Sequence, residues 1–360
     1  MIKYKSTYIK NIYYMLAYAF SSLTPTASES ISSEEFDHIH NLFAWVLSSG
    51  ISRQLKQGLY REYQEKKETI PTVKGKIVIN DTIHNVVERK CLVTCEYDDL
   101  TENNIFNQIL KTTVNILIRH GDVETKYKDA LKRELFFFSD VDVVEPKGIQ
   151  WSTIRFNRSN QSYILLLGIC QLVLDGMILS TEEGDIRLNN FVDSKSMEKL
   201  YEKFVLEYYK QEHGYLNASP SYVKWNIDEE YSSELLPAMQ TDITLTNKMT
   251  GDVLIIDTKF NGEILQTQYD AATIRSAHMY QIYAYVKNKQ ETTIDDSKVA
   301  GMLLYAGTEE NLQPDNRYVI GGNLISVQTL DLNQEFSEIR KKLDNIVCEY
   351  LPDDRFQSVG

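Results

Sequence analysis

In the first half of the chain, the spacing of apolar positions changes from a helical to a strand-like pattern and back again. Residues 8–21 and 35–49 carry apolar side chains three and four positions apart, which predicts two helices. Residues 57–97 contain short alternating runs such as "LYREYQ", "GKIVI" and "CLVTCEY", which predict a hairpin-rich segment with a turn near Pro71 and Gly75. The next run, "NNIFNQILKTTVNILIRH", returns to helical spacing and predicts a helix that one of its asparagines or the preceding threonine caps.

The second half combines long helical patterns with apolar strands. One helix is predicted at about 161–179 and another in "DSKSMEKLYEKFVLEYYKQEH", with Asp193 or Ser194 as its cap. Strand patterns follow in "YVKWNIDEE", "MQTDITLTN" and "VLIIDTKF", and after a helix in "AATIRSAHMYQIYAYVKNK" they continue in "AGMLLYAG" and "NLISVQTLDL". A final helix is predicted at about 334–349. This order predicts an α/β (α+β) fold with a mixed sheet flanked by helices.

Chain length and charge both divide the protein into two parts. Because 360 residues are too many for one ordinary core, two domains are predicted: residues 1–150, with helices and hairpins, and residues 151–360, with the mixed sheet. The first carries 19 Lys+Arg and 20 Asp+Glu, and the second carries 19 and 31, so the second holds nearly all of the net charge of −13. An acidic half does not suit a protein that grips nucleic acid by phosphate neutralisation alone. DNA can still reach a local site or be delivered by a partner.

The sequence contains no pattern typical of a membrane segment, a disulfide framework or a metal finger. The four cysteines lack metal-finger spacing and are predicted to be reduced thiols in a cytoplasmic protein. The opening "MIKYKSTYIKNIYYMLAYAF" is interrupted by Lys10 and Asn11, so it predicts an amphipathic helix rather than a signal peptide. The most apolar run, "YILLLGICQLVLDGMIL", contains Gln171 and Asp175 and is too short and polar to span a bilayer.

The apolar strand "VLIIDTKF" ends in charged residues that need compensation. Side chains alternate along a strand, so Asp257 and Lys259 project from the same face. Asp242 lies on the preceding strand, and the short connection "TNKMTGD" makes the two strands antiparallel neighbours. Two carboxylates at such a short distance repel each other unless a proton or a metal ion lies between them. Mg²⁺ prefers oxygen ligands of this kind. The pattern therefore indicates either an Mg²⁺ site, in which Lys259 orients water and stabilises negative charge, or a salt-bridged edge of a sheet.

The arrangement D-(x14)-D-x-K on adjacent strands resembles the active site of the PD-(D/E)XK nucleases. By that resemblance, Asp242, Asp257 and the backbone carbonyl of Thr258 hold Mg²⁺, while Lys259 is a catalytic residue. Glu202, in "MEKLYEKFV", resembles the glutamate of the family's first helix, which acts with the catalytic residues and contacts the metal through water. The alternative for this glutamate is a solvated helix face.

The helix after the lysine strand carries a second resemblance. Gln281 and Tyr285 are four residues apart and therefore lie on one face of that helix. This spacing resembles the helix of RecB-like members that positions DNA or the lysine. The alternative is an ordinary packed helix.

The chain as a whole resembles the McrC family, the nuclease subunits of McrBC-type modification-dependent restriction systems. The resemblance rests on six segments in family order: "NIYYMLAYAF", "VKGKIVIND", "CEYDDLTENNIFNQILK", "FNRSNQSYILLL", "MEKLYEKFV" and "VLIIDTKF". The family usually has proline directly before its first aspartate, and here Thr241 stands at that position.

This resemblance implies that the chain cuts double-stranded DNA containing modified cytosine and stimulates a partner, an McrB-like AAA+ GTPase hexamer. The GTP is bound by the partner, and the chain itself has no G-x-x-x-x-G-K-[ST] loop. The resemblance also places the contact with the partner in the amino-terminal domain, which we map to residues 57–97. Two alternatives remain open: a stand-alone RecB-like nuclease, and a catalytically silent adaptor that activates the motor.

Overall fold

The computed structural model describes most of the chain and divides it into two compact units. The described residues are 2–20, 36–182, 194–228, 230, 234–260, 265–268, 271–293, 297–307 and 314–352. One unit is His40–Leu174, and the other combines Met1–Ile39 with Asp175–Gly360. The predicted boundary near residue 150 differs from this division. Residues just beyond it belong to the first unit because Tyr163 is buried there and donates a hydrogen bond to Asn107 Oδ1 at 2.9 Å.

The described residues form a series of helices and strands. The α-helices are α1 (Ile2–Ala19), α2 (Ile39–Gln57), α3 (Ile79–Val87), α4 (Ile105–Arg119), α5 (Thr125–Leu135), α6 (Ile164–Glu182), α7 (Ser194–Glu212), α8 (Ser276–Gln290) and α9 (Phe336–Tyr350). The strands are β1 (Glu62–Ile70), β2 (Lys76–Ile77), β3 (Val93–Thr101), β4 (Leu216–Ser219), β5 (Tyr222–Val223), β6 (Met239–Gln240), β7 (Ile243–Asn247), β8 (Val253–Lys259), β9 (Leu265–Gln268), β10 (Ala271–Ile274), β11 (Val299–Ala306), β12 (Asn316–Ile320) and β13 (Asn323–Leu330). None of the helices in these ranges is both long and apolar enough to cross a bilayer.

The unit His40–Leu174 contains a three-stranded antiparallel sheet in the order β1-β3-β2. The predicted turn is present: Gly75 has a φ of 71°, and a Cβ there would lie 2.5 Å from the carbonyl oxygen of Glu96. The prediction of a strand in "GKIVI" is only partly right, because β2 ends at Ile77 and α3 begins two residues later. The asparagine cap of α4 is confirmed, since the Asn104 side chain accepts a hydrogen bond from the backbone N–H of Asn107.

The second unit contains a six-stranded mixed sheet in the order β12-β13-β11-β8-β7-β4. Strands β8, β11 and β13 run parallel, and the remaining pairs are antiparallel. Helices α7 and α8 pack against β8. A mixed sheet with flanking helices confirms the predicted α/β (α+β) fold class.

Three predicted elements of this unit differ from the structure. The helix predicted to begin at residue 271 begins at Ser276, because the β-branched pair Thr273 and Ile274 forms part of β10, which pairs with β9. The strand predicted in "MQTDITLTN" is divided into β6 and β7, and "YVKWNIDEE" forms only the two-residue strand β5. The predicted cap Asp193 lies outside the described residues.

The helix α1 is attached to the rest of the second unit by side-chain hydrogen bonds. Asn11 Nδ2 donates to the carbonyl oxygens of Leu332 and Gln334, at 2.8 and 2.7 Å. The Tyr18 hydroxyl donates to Glu212 Oε1 at 2.6 Å. The first helix of the chain therefore belongs to the unit that contains the six-stranded sheet.

Close packing between β11 and α8 gives a test of this fold. A Cβ at Gly301 would lie 2.6 Å from Val286 Cγ2 and 2.9 Å from Ile282 Cγ1, so α8 rests directly on the glycine. We expect Gly301→Ala to lower the free energy of unfolding by about 1–3 kcal/mol, because overpacking forces the helix away from the sheet. Chemical denaturation measures this change. Gly214→Ala is the control, since the structure places no described heavy atom within 4 Å of that Cβ; equal stability of the two variants would contradict the packing argument.

Candidate active site

The candidate site lies at the carboxyl end of β8. The antiparallel pairing places Ile243 opposite Ile256, so Asp242 follows one position beyond, at the level of Asp257. Residues Val253–Thr258 are all buried, because β8 has β7 on one side and β11 on the other. The two adjacent strands thus bring the predicted acids to the same end of the sheet.

Asp257 and Lys259 form a buried ion pair. Lys259 Nζ lies 2.8 Å from Asp257 Oδ2, and the side chains are 12% and 0% exposed. The same-face prediction is therefore confirmed by direct contact. Among the described residues, Asp257 Oδ1 has no hydrogen-bond donor. A carboxylate oxygen without a donor is costly in a protein interior.

The electrostatics of the pair follow from burial and from an excess of acids. Burial raises the pKa of Asp257 to about 6; the ammonium of Lys259 opposes this shift, and Asp242 adds to it. Burial alone would lower the pKa of Lys259, but the negative charges of Asp257 and Asp242 outweigh burial and raise it. The lysine therefore stays charged, while the pKa of the Asp257 carboxyl moves up toward neutral pH.

Asp242 is fixed by the strand that carries the other two residues. Its Oδ2 accepts hydrogen bonds from the backbone N–H of Thr258 at 2.8 Å and from the Thr258 hydroxyl at 3.0 Å. Thr258 thus positions the first aspartate. The sequence alone did not indicate this role, because it depends on the contact between two strands. The predicted part of Thr258 as a backbone-carbonyl metal ligand stays a prediction.

The residue in place of the family's usual proline has a structural role of its own. Thr241 is buried, and its backbone N–H donates to the carbonyl oxygen of Ser221 at 2.9 Å, a bond that proline could not make. The Thr241 hydroxyl also lies 2.9 Å from the hydroxyl of Thr244. The substitution therefore changes how the chain before Asp242 is held and removes no carboxylate from the site.

Glu202 on α7 is part of the same electrostatic environment. Burial, together with the negative charges of Asp242, Glu198 and Asp257, raises the pKa of this half-buried glutamate to about 7. Glu202 is thus close enough to the two aspartates to feel their charges, while its predicted contact with the metal through water stays a prediction. Glu198 was missed, although its position one turn before Glu202 on the same helix face could have indicated it.

The predicted pair on α8 is confirmed as a contact. Gln281 Nε2 donates a hydrogen bond to the Tyr285 hydroxyl at 3.0 Å. Tyr285 is buried in the core cluster that also contains Ile255 and Leu303. Because Ile255 and Asp257 share one face of β8, α8 covers the face that carries the ion pair.

A second polar pair, which the sequence did not indicate, lies next to Lys259. The parallel pairing of β8 and β11 places Tyr305 opposite Lys259, and the Tyr305 hydroxyl lies 2.8 Å from His278 Nδ1. Burial lowers the pKa of His278 to about 4, and the positive charges of Lys259 and Arg275 contribute. His278 is therefore a neutral hydrogen-bonding group beside the ion pair at pH 7.

The donor set fits a hard divalent cation. Three carboxyl groups, those of Asp242, Asp257 and Glu202, lie near one lysine, and one buried carboxylate oxygen has no donor among the described residues. Mg²⁺ binds to carboxylate oxygens and water. Asp242 and Asp257 could hold the ion directly, with Glu202 acting through water.

The raised pKa of Asp257 predicts how stability depends on pH. A carboxyl whose folded pKa lies above its unfolded value favours folding fully below about pH 4, and this contribution is lost as the pH rises through about 6. We therefore expect Asp257→Asn, measured with EDTA, to be more stable than the parent at pH 8 by roughly 1–3 kcal/mol. The difference should vanish near pH 4 in thermal melts. Asp228→Asn, at an exposed position, is the control. If Asp257→Asn melts below the parent at pH 8, the raised pKa of Asp257 is contradicted.

Comparison with known proteins identifies the family. A family model described as McrBC 5-methylcytosine restriction system component matches residues 3–306. The chain is 26% identical to the Type IV methyl-directed restriction enzyme EcoKMcrBC of Escherichia coli (strain K12). The match extends over 346 residues, which are 95% of this chain and 98% of that relative. The fold of this chain is similar to that of a chain from the Thermococcus gammatolerans assembly of McrB AAA+ hexamers with bound McrC. The TM-score is 0.54 and the identity is 15%, over 94% of this chain and 76% of that one. The family resemblance seen in the sequence is thus confirmed, and the chain belongs to the McrBC 5-methylcytosine restriction system component family.

Proposed function

We propose that this chain is the Mg²⁺-dependent DNA endonuclease subunit of a cytoplasmic restriction complex directed at methylated cytosine. The observation that carries the proposal is the buried ion pair of Asp257 and Lys259, with an uncompensated excess of carboxyl groups around it. A structural salt bridge pairs its charges and gains little from further acids nearby. The excess negative charge is better explained by a cation that binds during function.

The residues of the site have separate parts in phosphodiester hydrolysis. A bound Mg²⁺ would polarise a phosphate oxygen and lower the pKa of a water molecule. Asp242 and Asp257 would hold the ion, and Glu202 would accept hydrogen bonds from its water ligands. Lys259 stays charged and is held in place by Asp257, so it can orient the attacking water and stabilise the negative charge that develops on the phosphate. The water loses a proton as its oxygen bonds to phosphorus, one P–O ester bond breaks, and the leaving oxygen takes up a proton.

The second part of the proposal is stimulation of a partner AAA+ GTPase. The similar solved assembly contains McrB AAA+ hexamers with bound McrC, and this chain has no phosphate-binding loop of its own. We assign the contact to residues 57–97, where α3 has no buried residue. Four of its side chains form an exposed apolar face: Ile79, Ile83, Val86 and Val87. A contiguous apolar face in water is typical of a protein–protein contact.

Lys259→Ala tests the catalytic part. We expect cleavage of methylated DNA to fall by about 10²–10³, because a preorganised charge that stabilises the transition state is lost. The assay contains the partner GTPase, GTP and Mg²⁺. Stimulation of the partner's GTPase should persist, because we assign it to the other unit, and thermal melting checks that the variant is folded. Lys298→Ala is the control at an exposed position of the same unit.

The same assays separate the alternatives. Cleavage by Lys259→Ala at nearly the parent rate would refute the assignment. Cleavage by the purified parent without partner or GTP would favour a stand-alone nuclease. A parent chain that stimulates the GTPase but never cuts would favour a silent adaptor.

Ile83→Asp tests the partner contact. If α3 packs against the GTPase, burying an unpaired carboxylate should raise the chain concentration needed for half-maximal GTPase stimulation by about tenfold or more. Val143→Asp is the matched control, because Val143 is 63% exposed and Ile83 is 54% exposed in the same unit. Thermal melting confirms that both variants fold. Identical concentration dependence for Ile83→Asp and the parent would show that α3 does not make the contact.

A further inference from the structure

Two histidine side chains meet in the unit His40–Leu174, far along the chain from the candidate active site. His40 is the second residue of α2, and His120 follows the last residue of α4. Their rings are nearly parallel, with centroids 4.1 Å apart and an angle of 18° between the planes, and the two residues are only 4% and 8% exposed. Asp122 follows two positions after His120 and is exposed. One possible ligand atom from each of these three residues lies within 4.8 Å of the other two.

Hydrogen bonds between polar neighbours hold the backbone of this cluster in place. Asn41 Nδ2 donates to Glu124 Oε1 at 2.7 Å, and the backbone N–H of Glu124 donates to Asn41 Oδ1 at 2.9 Å. This reciprocal pair joins the first turn of α2 to the connection between α4 and α5. The three side chains are therefore brought together by the fold itself.

One of the histidine nitrogens, His120 Nδ1, already points its lone pair at the backbone N–H of Asp122. The backbone N–H of Asp122 donates to His120 Nδ1 at 3.2 Å, so this nitrogen acts as an acceptor and carries no proton in that bond. A metal ion requires an unprotonated nitrogen. Because 3.2 Å is long for such a hydrogen bond, an ion could replace the donor at modest cost.

The ligand types select the kind of metal. Two imidazole nitrogens and one carboxylate oxygen form a typical three-residue set for Zn²⁺, with water or another ligand in the fourth position. Mg²⁺ prefers oxygen ligands throughout, so this cluster differs in chemistry from the acids around Asp257. In a tetrahedral Zn²⁺ site the ligand atoms lie about 3.3 Å apart. The three ligand atoms lie within 4.8 Å of one another, so they must shift by about 1 Å to bind one ion. One of the stacked rings must also turn, so that the lone pairs of both histidines point to that ion.

We propose that His40, His120 and Asp122 form a second metal site, which binds a transition-metal ion of the Zn²⁺ class. The ion would link the start of α2 to the α4–α5 connection and so stabilise the unit that carries α3. The proposal does not rest on the proposed nuclease function. Its simpler competitor is a pair of histidines that only pack against each other.

The test uses the full chain carrying Asp257→Asn, which removes a carboxylate from the candidate Mg²⁺ site. Zn²⁺ binding is measured by isothermal titration calorimetry, and Co²⁺ serves as a spectroscopic probe through its visible absorption. We expect one equivalent of Zn²⁺ to bind, with a rise in melting temperature that EDTA reverses. In this background, His40→Gln, His120→Gln and Asp122→Asn should each abolish the binding. His84→Gln, at an exposed histidine of the same unit, should leave it unchanged.

Asp122→Asn decides the matter if the buried histidine variants fail to fold, because Asp122 is exposed and its loss leaves the interior intact. Loss of the Zn²⁺ equivalent in Asp122→Asn, with retention in His84→Gln, supports the site. Absence of saturable Zn²⁺ binding to the parent background overturns the proposal. So does binding that Asp122→Asn and His120→Gln leave unchanged.

Discussion

The ion pair between Asp257 and Lys259 constrains the structure around the candidate active site. Burying both charges requires full packing on each side of β8, which β7 and β11 supply, and a helix over the face that the pair shares, which α8 supplies. Opposite charges at 2.8 Å in a dry interior attract strongly, but each loses its hydration. The pair alone therefore gives the fold little net stability. Its position explains why the end of β8 combines such an apolar strand with two charged residues.

The additional acids favour the interpretation of this ion pair as part of a cation site over its interpretation as a structural salt bridge. Asp242 is held by the backbone and hydroxyl of Thr258, and it opposes ionisation of both Asp257 and Glu202. A sheet edge selected for stability would have replaced at least one of these carboxyl groups, because each like charge weakens the others' ionised form. A site selected to bind a cation needs them together. The cost to the fold and the proposed catalytic chemistry thus have the same physical origin.

Sequence reasoning succeeded where the relevant geometry is local. Alternation along "VLIIDTKF" predicted the shared face of Asp257 and Lys259, and helical spacing predicted the contact of Gln281 with Tyr285. It failed where contacts depend on distant pairing or where a strand-like run leads directly into a helix. The His278–Tyr305 contact depends on parallel pairing of strands separated by a helix, which the sequence does not specify. Helix α3 was missed although Ile79, Ile83 and Val86 have helical spacing, because the strand-like run "GKIVI" extends into its first residue.

The two compact units hold different chemistry, and this makes their contributions separable. Asp242, Asp257, Lys259 and Glu202 all belong to the unit with the six-stranded sheet, whereas α3 and the histidine cluster belong to His40–Leu174. Because the proposed sites lie in different units, double variants test whether the effects of substitutions at the two sites add. If α3 acts only by contacting the partner GTPase, an α3 substitution should lower cleavage in step with GTPase stimulation. Cleavage and GTPase stimulation measured on the same variants therefore test the two proposed sites independently.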